Sequence, residues 1–115
     1  MPTPMLSWAV RELKCQAGIV ITASHNPAKY NGYKVYGEDG CQITLDVANT
    51  VIGKINAVEM FGGAKVIDFE DGIKSGKIEY IKQDVIDKYL DKVAQQGVHT
   101  DLVADSGLKV VYTPT

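Results

Sequence analysis

The chain has 115 residues, of which 45% are hydrophobic and 23% are charged, and its formal net charge at pH 7 is −2. This length suits one globular domain, and the nearly balanced charge is not typical of a nucleic-acid surface or a basic membrane patch. No apolar run reaches the roughly 18 residues that a membrane-spanning helix requires, and residues 1–4 do not resemble a signal peptide. We therefore expect no nucleic-acid partner and no membrane association.

The two cysteines, Cys15 and Cys41, do not have the spacing of metal ligands. In a chain of this length they are more typical of free thiols in a reducing compartment than of a disulfide. We therefore expect a cytoplasmic protein.

The first predicted elements are a helix and a buried strand. Thr3 can cap a helix that has Pro4 at its first position, and apolar residues at helical spacing extend the prediction over residues 4–16. Residues 19–21 are a β-branched run without polar alternates, which is typical of a strand covered on both faces. A helix followed by such a strand indicates an α/β sheet flanked by helices.

A polar loop over residues 22–31 separates this strand from a predicted β-hairpin. Residues 33–36 are expected to form its first strand, residues 37–40 a tight turn, and residues 41–44 the returning strand.

Two further helices are predicted from the spacing of apolar residues. Thr44 can cap the first, which presents an apolar face over residues 48–58. The second, over residues 82–96, has the clearest helical pattern in the chain. We expect the apolar faces at 5–13, 48–58 and 85–93 to build the core.

The segment between these helices gives weaker signals. Residues 65–69 are compatible with a strand, and residues 71–77 are polar and contain glycine, as expected for a loop. Asp68, Glu70 and Asp71 cluster here, but their spacing matches no metal-binding loop. We expect them to form a solvated turn.

The C-terminal part is predicted to contain a domain boundary. Residues 98–107 have the composition of a linker, and residues 108–112 begin a new strand with little chain after it. We therefore expect residues 1–106 to form most of one domain, together with a linker, and residues 107–115 to begin another.

Ser24 lies in the polar loop just after a buried strand, where open α/β sheets bind their ligands. His25 is adjacent, but neighbouring loop side chains point in different directions, so His25 is not automatically the base for Ser24. Lys34 is expected to face away from its neighbours Tyr33 and Val35. Ser24 and Lys34 are therefore expected to share one cleft.

Two functions remain open on these residues alone. The Ser-His-Asn-Pro tetrapeptide is rich in turn formers, so it suits a structural loop or a phosphate-binding turn in a small self-contained interaction domain. A serine hydrolase is a weaker hypothesis, because the chain lacks a Gly-x-Ser-x-Gly elbow and an acidic partner for Ser24 and His25.

The loop closely resembles the active-site serine loop of the α-D-phosphohexomutases, which include phosphoglucomutases and phosphomannomutases. The resemblance rests on TASHNP at residues 22–27 and YNGYK at residues 30–34, and the flanks at residues 2–13, 40–44 and 108–115 are similar to the same family. It implies a first domain with a mixed, mostly parallel sheet, flanking helices, and a β-hairpin after the active-site loop.

The resemblance also implies a reaction. A phosphoserine at Ser24 would pass its phosphoryl group to a hexose phosphate, and the resulting sugar 1,6-bisphosphate would return its other phosphate to the serine. Sugar 1-phosphate and sugar 6-phosphate would thus be interconverted. Catalytic roles are implied for Ser24, His25 and Lys34. The substrate and phosphate loop would comprise Thr22, Ala23, Asn26, Pro27 and Asn31.

The implied cofactor is Mg²⁺, with Ser24 as a ligand through its phosphate. The family's early glycine-rich segment with its arginine, its Asp-Gly-Asp-x-Asp-Arg metal loop, its sugar-recognition loop and its terminal phosphate-binding domain have no counterpart in this sequence. We therefore expect a fragment that is inactive by itself and self-associates through uncovered apolar surface. Glucose, mannose, ribose and aminosugar phosphates all remain candidate substrates.

Overall fold

A computed structural model describes residues 2–27 and 29–113 of the chain. Within these residues the elements are α1 (Thr3–Glu12), β1 (Ala17–Thr22), β2 (Gly32–Gly37), α2 (Leu45–Asn56), α3 (Phe69–Lys74), α4 (Gln83–Ala94) and α5 (Asp101–Ala104). The chain divides into two compact units, residues 1–81 and residues 82–115. The first unit holds the sheet and α1 to α3, and the second holds α4 and α5. The domain division predicted after residue 106 stays a prediction.

β1 and β2 form a two-stranded antiparallel sheet, in which Ala17 lies opposite Gly37 and Thr22 lies opposite Gly32. The α/β class is confirmed, but the predicted mostly parallel sheet is wrong for the described part of the chain. The connection explains the difference. A short loop at residues 23–31 suits antiparallel neighbours, whereas parallel strands require a crossover of about a dozen residues or more.

The hairpin predicted after the serine loop is reduced to a turn and an isolated bridge. The Gly37 N–H donates to the Cys41 carbonyl over 2.9 Å, and Tyr36 bridges Gln42 in antiparallel fashion. Residues 41–44 therefore run back along β2 without forming the predicted strand. The hairpin that the structure does contain is β1 and β2, joined by the serine loop itself.

α1 packs on one face of the sheet, and this contact supplies the buried core. Met5, Ala9 and Val10 are the buried hydrophobic side chains among the described residues. Gly18 lies beneath them, and a Cβ built there would be 2.5 Å from Cγ2 of Val10 and 3.1 Å from Cδ1 of Leu6. A glycine at this position lets the helix approach the strand closely.

The opposite face of the sheet is uncovered. Ile19 is 61% exposed and Ile21 is 72% exposed, so β1 is covered on one face and not on both as predicted. Neither α2 nor α4 has a buried residue among those described. The apolar faces predicted at 48–58 and 85–93 therefore exist, but they do not contribute to a core in the described structure.

Helical periodicity predicted three helices correctly. α1 begins after Pro2, which occupies the N-cap position in place of the predicted Thr3, and it ends four residues earlier than expected. Thr44 is the N-cap residue of α2, although its side chain makes no capping hydrogen bond. α4 lies within the helix predicted at residues 82–96.

The strand predicted at residues 65–69 is wrong, because this segment leads into α3. Oδ1 of Asp68 accepts hydrogen bonds from the backbone N–H groups of Glu70 over 2.9 Å and Asp71 over 3.2 Å. Asp68 is thus a helix N-cap, and the two other acids lie in the first turn, where the helix dipole favours negative charge. The predicted loop at residues 71–77 is partly helical, because α3 begins after Asp68 and continues to Lys74.

The strand predicted at residues 108–112 is irregular and exposed. A strand requires a partner for its backbone groups, and no described residue pairs with this segment. Cys15 and Cys41 are free thiols, as predicted. No helix in the described ranges is both long and apolar enough to cross a membrane.

Candidate active site

The serine loop is held at both ends by the sheet. Thr22 is the last residue of β1, and it pairs with Gly32, the first residue of β2. Strand pairing fixes the register of these two residues. The ends of the loop at residues 23–31 are therefore set by the sheet.

Short-range hydrogen bonds then shape the loop. The Asn26 N–H donates to the Ala23 carbonyl over 3.0 Å, and the Tyr30 N–H donates to the Pro27 carbonyl over 2.9 Å. Oδ1 of Asn31 accepts from the backbone N–H of the next residue over 3.1 Å. Asparagine and proline favour such turns, the first through side-chain bonds to nearby backbone and the second through its fixed φ.

Ser24 has an unusual backbone conformation. Its φ is +56°, in the left-handed region that residues other than glycine seldom occupy. This conformation costs roughly 1–2 kcal/mol for an L-residue with a Cβ. Its N–H donates to Oγ1 of Thr22 over 2.9 Å, which offsets part of that cost. Strained residues of this kind concentrate at functional sites.

His25 lies beside the serine hydroxyl. Oγ of Ser24 is 3.2 Å from Nδ1 of His25, within hydrogen-bonding distance. The sequence suggested that adjacent loop side chains would diverge, but the turn at Ser24 brings these two together. Within residues 2–27 and 29–113, no carboxylate is hydrogen-bonded to the His25 ring. The described residues therefore do not form the acid–histidine–serine triad of a hydrolase.

An open depression of about 280 Å³ lies at this end of the sheet. Its lining residues are Thr22, Ala23, Ser24, Asn26, Tyr30, Asn31, Gly32, Tyr33 and Lys34. Lys34 reaches it because it lies opposite Val20 in the register, which places it on the same sheet face as Thr22. The hydroxyl of Ser24 and the ammonium-bearing side chain of Lys34 thus line one concave surface.

Most of the predicted site residues line this depression, and two do not. His25 reaches the site through its contact with Ser24, and Pro27 contributes to the loop turn. Sequence reasoning did not assign Tyr30 and Tyr33 to the site, although both line it while remaining more than half exposed. Their presence in the same YNGYK string at residues 30–34 is the signal that could have identified them.

A larger apolar depression of about 390 Å³ adjoins the uncovered face of the sheet. It is lined by Ile19, Ile21, Asn31, Gly32 and Tyr33. It lacks the convergent polar groups that fix a ligand's orientation in a typical binding site. The smaller depression around Ser24 has such groups, and it is the candidate active site.

The described residues do not fit a complete Mg²⁺ site. They contain no group of three His, Cys, Asp or Glu side chains able to hold a metal ion. The polar side chains around Ser24 are hydroxyls, amides and an ammonium, whereas protein-bound Mg²⁺ is usually held by carboxylate and phosphate oxygens. The depression itself therefore offers no carboxylate ligand, and the Mg²⁺ site implied by the resemblance stays an expectation.

Residues 1–61 match the family model for phosphoglucomutase/phosphomannomutase, alpha/beta/alpha domain I. This segment makes up about half of the chain. It contains α1, both strands, the serine loop and α2, so every residue of the candidate site lies within the match.

Individual proteins give the same result over more of the chain. A phosphoglucomutase of Staphylococcus saprophyticus is 42% identical over 91 residues, which is 79% of this chain and 16% of that protein. A phosphoribomutase of Saccharomyces cerevisiae is 37% identical over 97% of this chain and 19% of its own length. A phosphoglucomutase of Staphylococcus haemolyticus is 41% identical over 96% of this chain and 20% of its own length. This chain thus spans 16–20% of the length of these relatives.

Proposed function

Because this chain belongs to the phosphoglucomutase and phosphomannomutase family, we propose that it is part of a phosphohexomutase whose phosphoryl carrier is Ser24. Such an enzyme interconverts a sugar 1-phosphate and a sugar 6-phosphate by intramolecular phosphotransfer. The observation that carries the proposal is the arrangement around the serine hydroxyl. Ser24 and Lys34 line one depression, and Nδ1 of His25 is 3.2 Å from Oγ of Ser24.

In the first half of the reaction, phosphoserine at Ser24 donates its phosphoryl group to a free hydroxyl of the bound sugar phosphate. The bond between phosphorus and Oγ breaks, and a bond between phosphorus and the sugar oxygen forms. The sugar hydroxyl loses its proton, and Oγ of Ser24 gains one. In the tautomer whose Nδ1 carries no proton, His25 accepts a hydrogen bond from Oγ–H and so holds that proton on the free serine.

In the second half, the sugar 1,6-bisphosphate turns over in the site and returns its other phosphate to Ser24. The Oγ–phosphorus bond forms again, the bond between phosphorus and the other sugar oxygen breaks, and that oxygen is protonated. We propose that His25 accepts the serine proton in this step through Nδ1, which is 3.2 Å from Oγ of Ser24. One phosphate has then left the sugar and another has been added, so the net reaction is an isomerisation.

Lys34 supplies positive charge to both halves. A phosphoserine carries a charge of about −1.5 to −2 at pH 7, and phosphoryl transfer depends chiefly on positioning and charge stabilisation. The Lys34 side chain lines the same depression as Ser24. Its ammonium group can contact the phosphate in transit or assist proton transfer.

The other loop residues are proposed to form the substrate and phosphate loop, in which Asn26 and Asn31 contact the sugar phosphate while Thr22, Ala23 and Pro27 set the backbone. Asn26 and Asn31 provide amide groups in the first and second halves of the loop, Thr22 ends β1 just before it, and the Ala23 carbonyl accepts the Asn26 N–H in its first turn. Pro27 restricts the backbone between Asn26 and Asn31. Together they form the substrate and phosphate loop.

The names of the relatives bear on the substrate. Two are phosphoglucomutases and one is a phosphoribomutase, which makes sugar phosphates the common substrate class. We propose a hexose phosphate for the full-length enzyme. We propose Mg²⁺ as the cofactor, bound in part through the phosphate of Ser24. We also propose a cytoplasmic location for the enzyme.

We further propose that the 115-residue chain does not catalyse the reaction alone, because the described residues contain no metal-binding cluster. The purified chain should give no turnover in an assay coupling conversion of glucose 1-phosphate into glucose 6-phosphate. Turnover above that of a Ser24→Ala control would refute this statement and leave the role of Ser24 intact.

The function is tested in the full-length enzyme with Ser24→Ala. This variant should lose mutase activity in the coupled assay, with ribose 1-phosphate and mannose 1-phosphate as alternative substrates. Ser106→Ala is the matched control, because Oγ of Ser106 bonds to nearby backbone, donating to the Val103 carbonyl and accepting from the Leu108 N–H, and Ser106 does not line the depression. A fully active Ser24→Ala enzyme would refute the proposal.

A further inference from the structure

Two residues other than glycine have positive φ in the described structure, Lys14 at 53° and Ser24 at 56°. Lys14 follows the end of α1, and a left-handed residue there is a common way to end a helix. Ser24 ends no helix. Its conformation therefore needs another cause, and the hydrogen bond from its N–H to Oγ1 of Thr22 is the local interaction that supplies one.

This bond is comparable in size with the strain that it opposes. The cost of a left-handed residue with a Cβ and the net contribution of one intramolecular hydrogen bond are of the same order. Threonine hydroxyls commonly accept from the N–H two residues later, and so offer the backbone an alternative to continued strand structure. Removal of the hydroxyl should therefore allow Ser24 to relax toward the commoner negative φ.

Thr22 is well anchored to perform this task. It belongs to β1, pairs with Gly32 in β2, and is partly buried, whereas Ser24 and His25 are exposed. The β-branched side chain of threonine also has restricted χ1 rotation. Because Thr22 is held by the sheet, its hydrogen bond to the Ser24 N–H restrains the backbone of Ser24.

We propose that Thr22 is a positioning residue for phosphoryl transfer, and this inference rests on the proposed function. Its Oγ1 holds the Ser24 backbone so that Oγ of Ser24 stays beside Nδ1 of His25 and within the depression lined by Lys34. Contact with the sugar phosphate is assigned to the amide groups of Asn26 and Asn31, and the Thr22 hydroxyl instead accepts from the Ser24 N–H within the loop. Loss of the Thr22 hydroxyl should therefore lower kcat and leave KM nearly unchanged.

The experiment compares three variants of the full-length enzyme. Thr22→Val removes the hydroxyl and keeps the shape, and kcat should fall at least about tenfold with KM within about twofold. Thr22→Ser restores a hydroxyl, and kcat should return to within about threefold of the parent value. Thr50→Val is the matched control, because it removes a hydroxyl bonded to the Asp46 carbonyl in α2, and it should leave both constants unchanged.

Each other outcome has a definite meaning. An unchanged kcat in Thr22→Val, a rise in KM alone, or equal losses in the valine and serine variants would overturn the positioning role. If Thr22→Val does not fold, Thr22→Ala carries the same expectations. Ser24→Ala separates this inference from the proposed function: an active Ser24→Ala enzyme refutes the function, whereas an inactive one with a fully active Thr22→Val enzyme refutes the positioning role alone.

Discussion

Lys34 lies directly opposite Val20 in the antiparallel sheet. Residues opposite one another in such a pair point to the same face, so Lys34 shares a face with Thr22, two positions along β1. A slip of one residue in the register would move Lys34 to the other face of the sheet. The pairing of β1 with β2 is therefore what brings a cation to the serine loop.

We expect Lys34→Met to lower kcat/KM of the full-length enzyme by at least about 10²-fold, the lower end for general acid–base catalysis. The substitution keeps an unbranched apolar side chain and removes the charge that we propose to contact the phosphate. Steady-state kinetics with glucose 1-phosphate measures the effect.

Lys29→Met is the control for Lys34, because Lys29 is a nearby cation in the serine loop that lies over the Tyr30 ring and is not part of the lining. It should retain nearly full activity. If Lys34→Met lowers kcat/KM by less than about threefold, which is small beside the usual range for acid–base groups, then Lys34 is a solvated strand residue without a role in catalysis. Equal losses in both variants would show that the place of Lys34 in the lining of the depression is irrelevant to activity.

The left-handed conformation of Ser24 predicts an unusual order of stability between two variants. Ser24→Gly should be more stable than Ser24→Ala by about 1 kcal/mol, because the strain of a Cβ at positive φ outweighs the greater unfolded-state entropy of glycine. Urea unfolding of the 115-residue chain, followed by the fluorescence of its single tryptophan, Trp8, measures this difference.

Ser75 provides the matched control for that comparison. It is the C-cap of α3 with φ of −86°, and its hydroxyl bonds to the carbonyls of Asp71 and Gly72 would be lost equally in both replacements. At this position the alanine variant should be the more stable. The same order at Ser24, with alanine above glycine, would show that Ser24 is not strained.

The helices were predictable because their signals are local. Apolar spacing alone identified α1, α2 and α4. α3 is harder to predict because the β-branched residues before Phe69 favour a strand, whereas the helix begins at the capping carboxylate of Asp68, which accepts two backbone hydrogen bonds. The sequence does contain a signal for this helix, because Asp68 is followed by Glu70 and Asp71, a pattern typical of a helix start.

The sheet was less predictable because strands depend on distant partners. Residues 19–21 were identified as a strand, but their apolar composition could not show that α1 would cover one face only. Residues 108–112 have the same β-branched character and remain irregular without a described partner. Burial and pairing are tertiary properties, and a run of apolar residues does not determine either.

The members of the site were predictable, but their geometry was not. The TASHNP string at residues 22–27 identified the loop, and strand alternation placed Lys34 on a definite face. The contact between Oγ of Ser24 and Nδ1 of His25 depends on the left-handed φ of Ser24. That backbone conformation is rare for serine and has no sequence signal beyond the threonine two residues earlier.

Exposed apolar surface predicts self-association of the 115-residue chain. Ile19 and Ile21 are more than half exposed on the uncovered sheet face, beside an apolar depression. We expect light scattering to show a dimer or larger species. Ile21→Glu should shift the mass toward the monomer, whereas Met60→Glu, at a position that is 89% exposed and outside this face, should not.

A monodisperse monomer at the same concentration would contradict the association claim. An equal shift with Ile21→Glu and Met60→Glu would assign association to general charge effects and not to the sheet face.

The central claim is that Ser24 carries the phosphoryl group. Incubation of the full-length enzyme with glucose 1,6-bisphosphate, followed by intact-mass measurement and peptide mapping, tests it directly. We predict the addition of one phosphate, located on the peptide that contains Ser24 and absent from Ser24→Ala. Stoichiometric phosphate on a different residue, together with full activity of Ser24→Ala, would contradict the account.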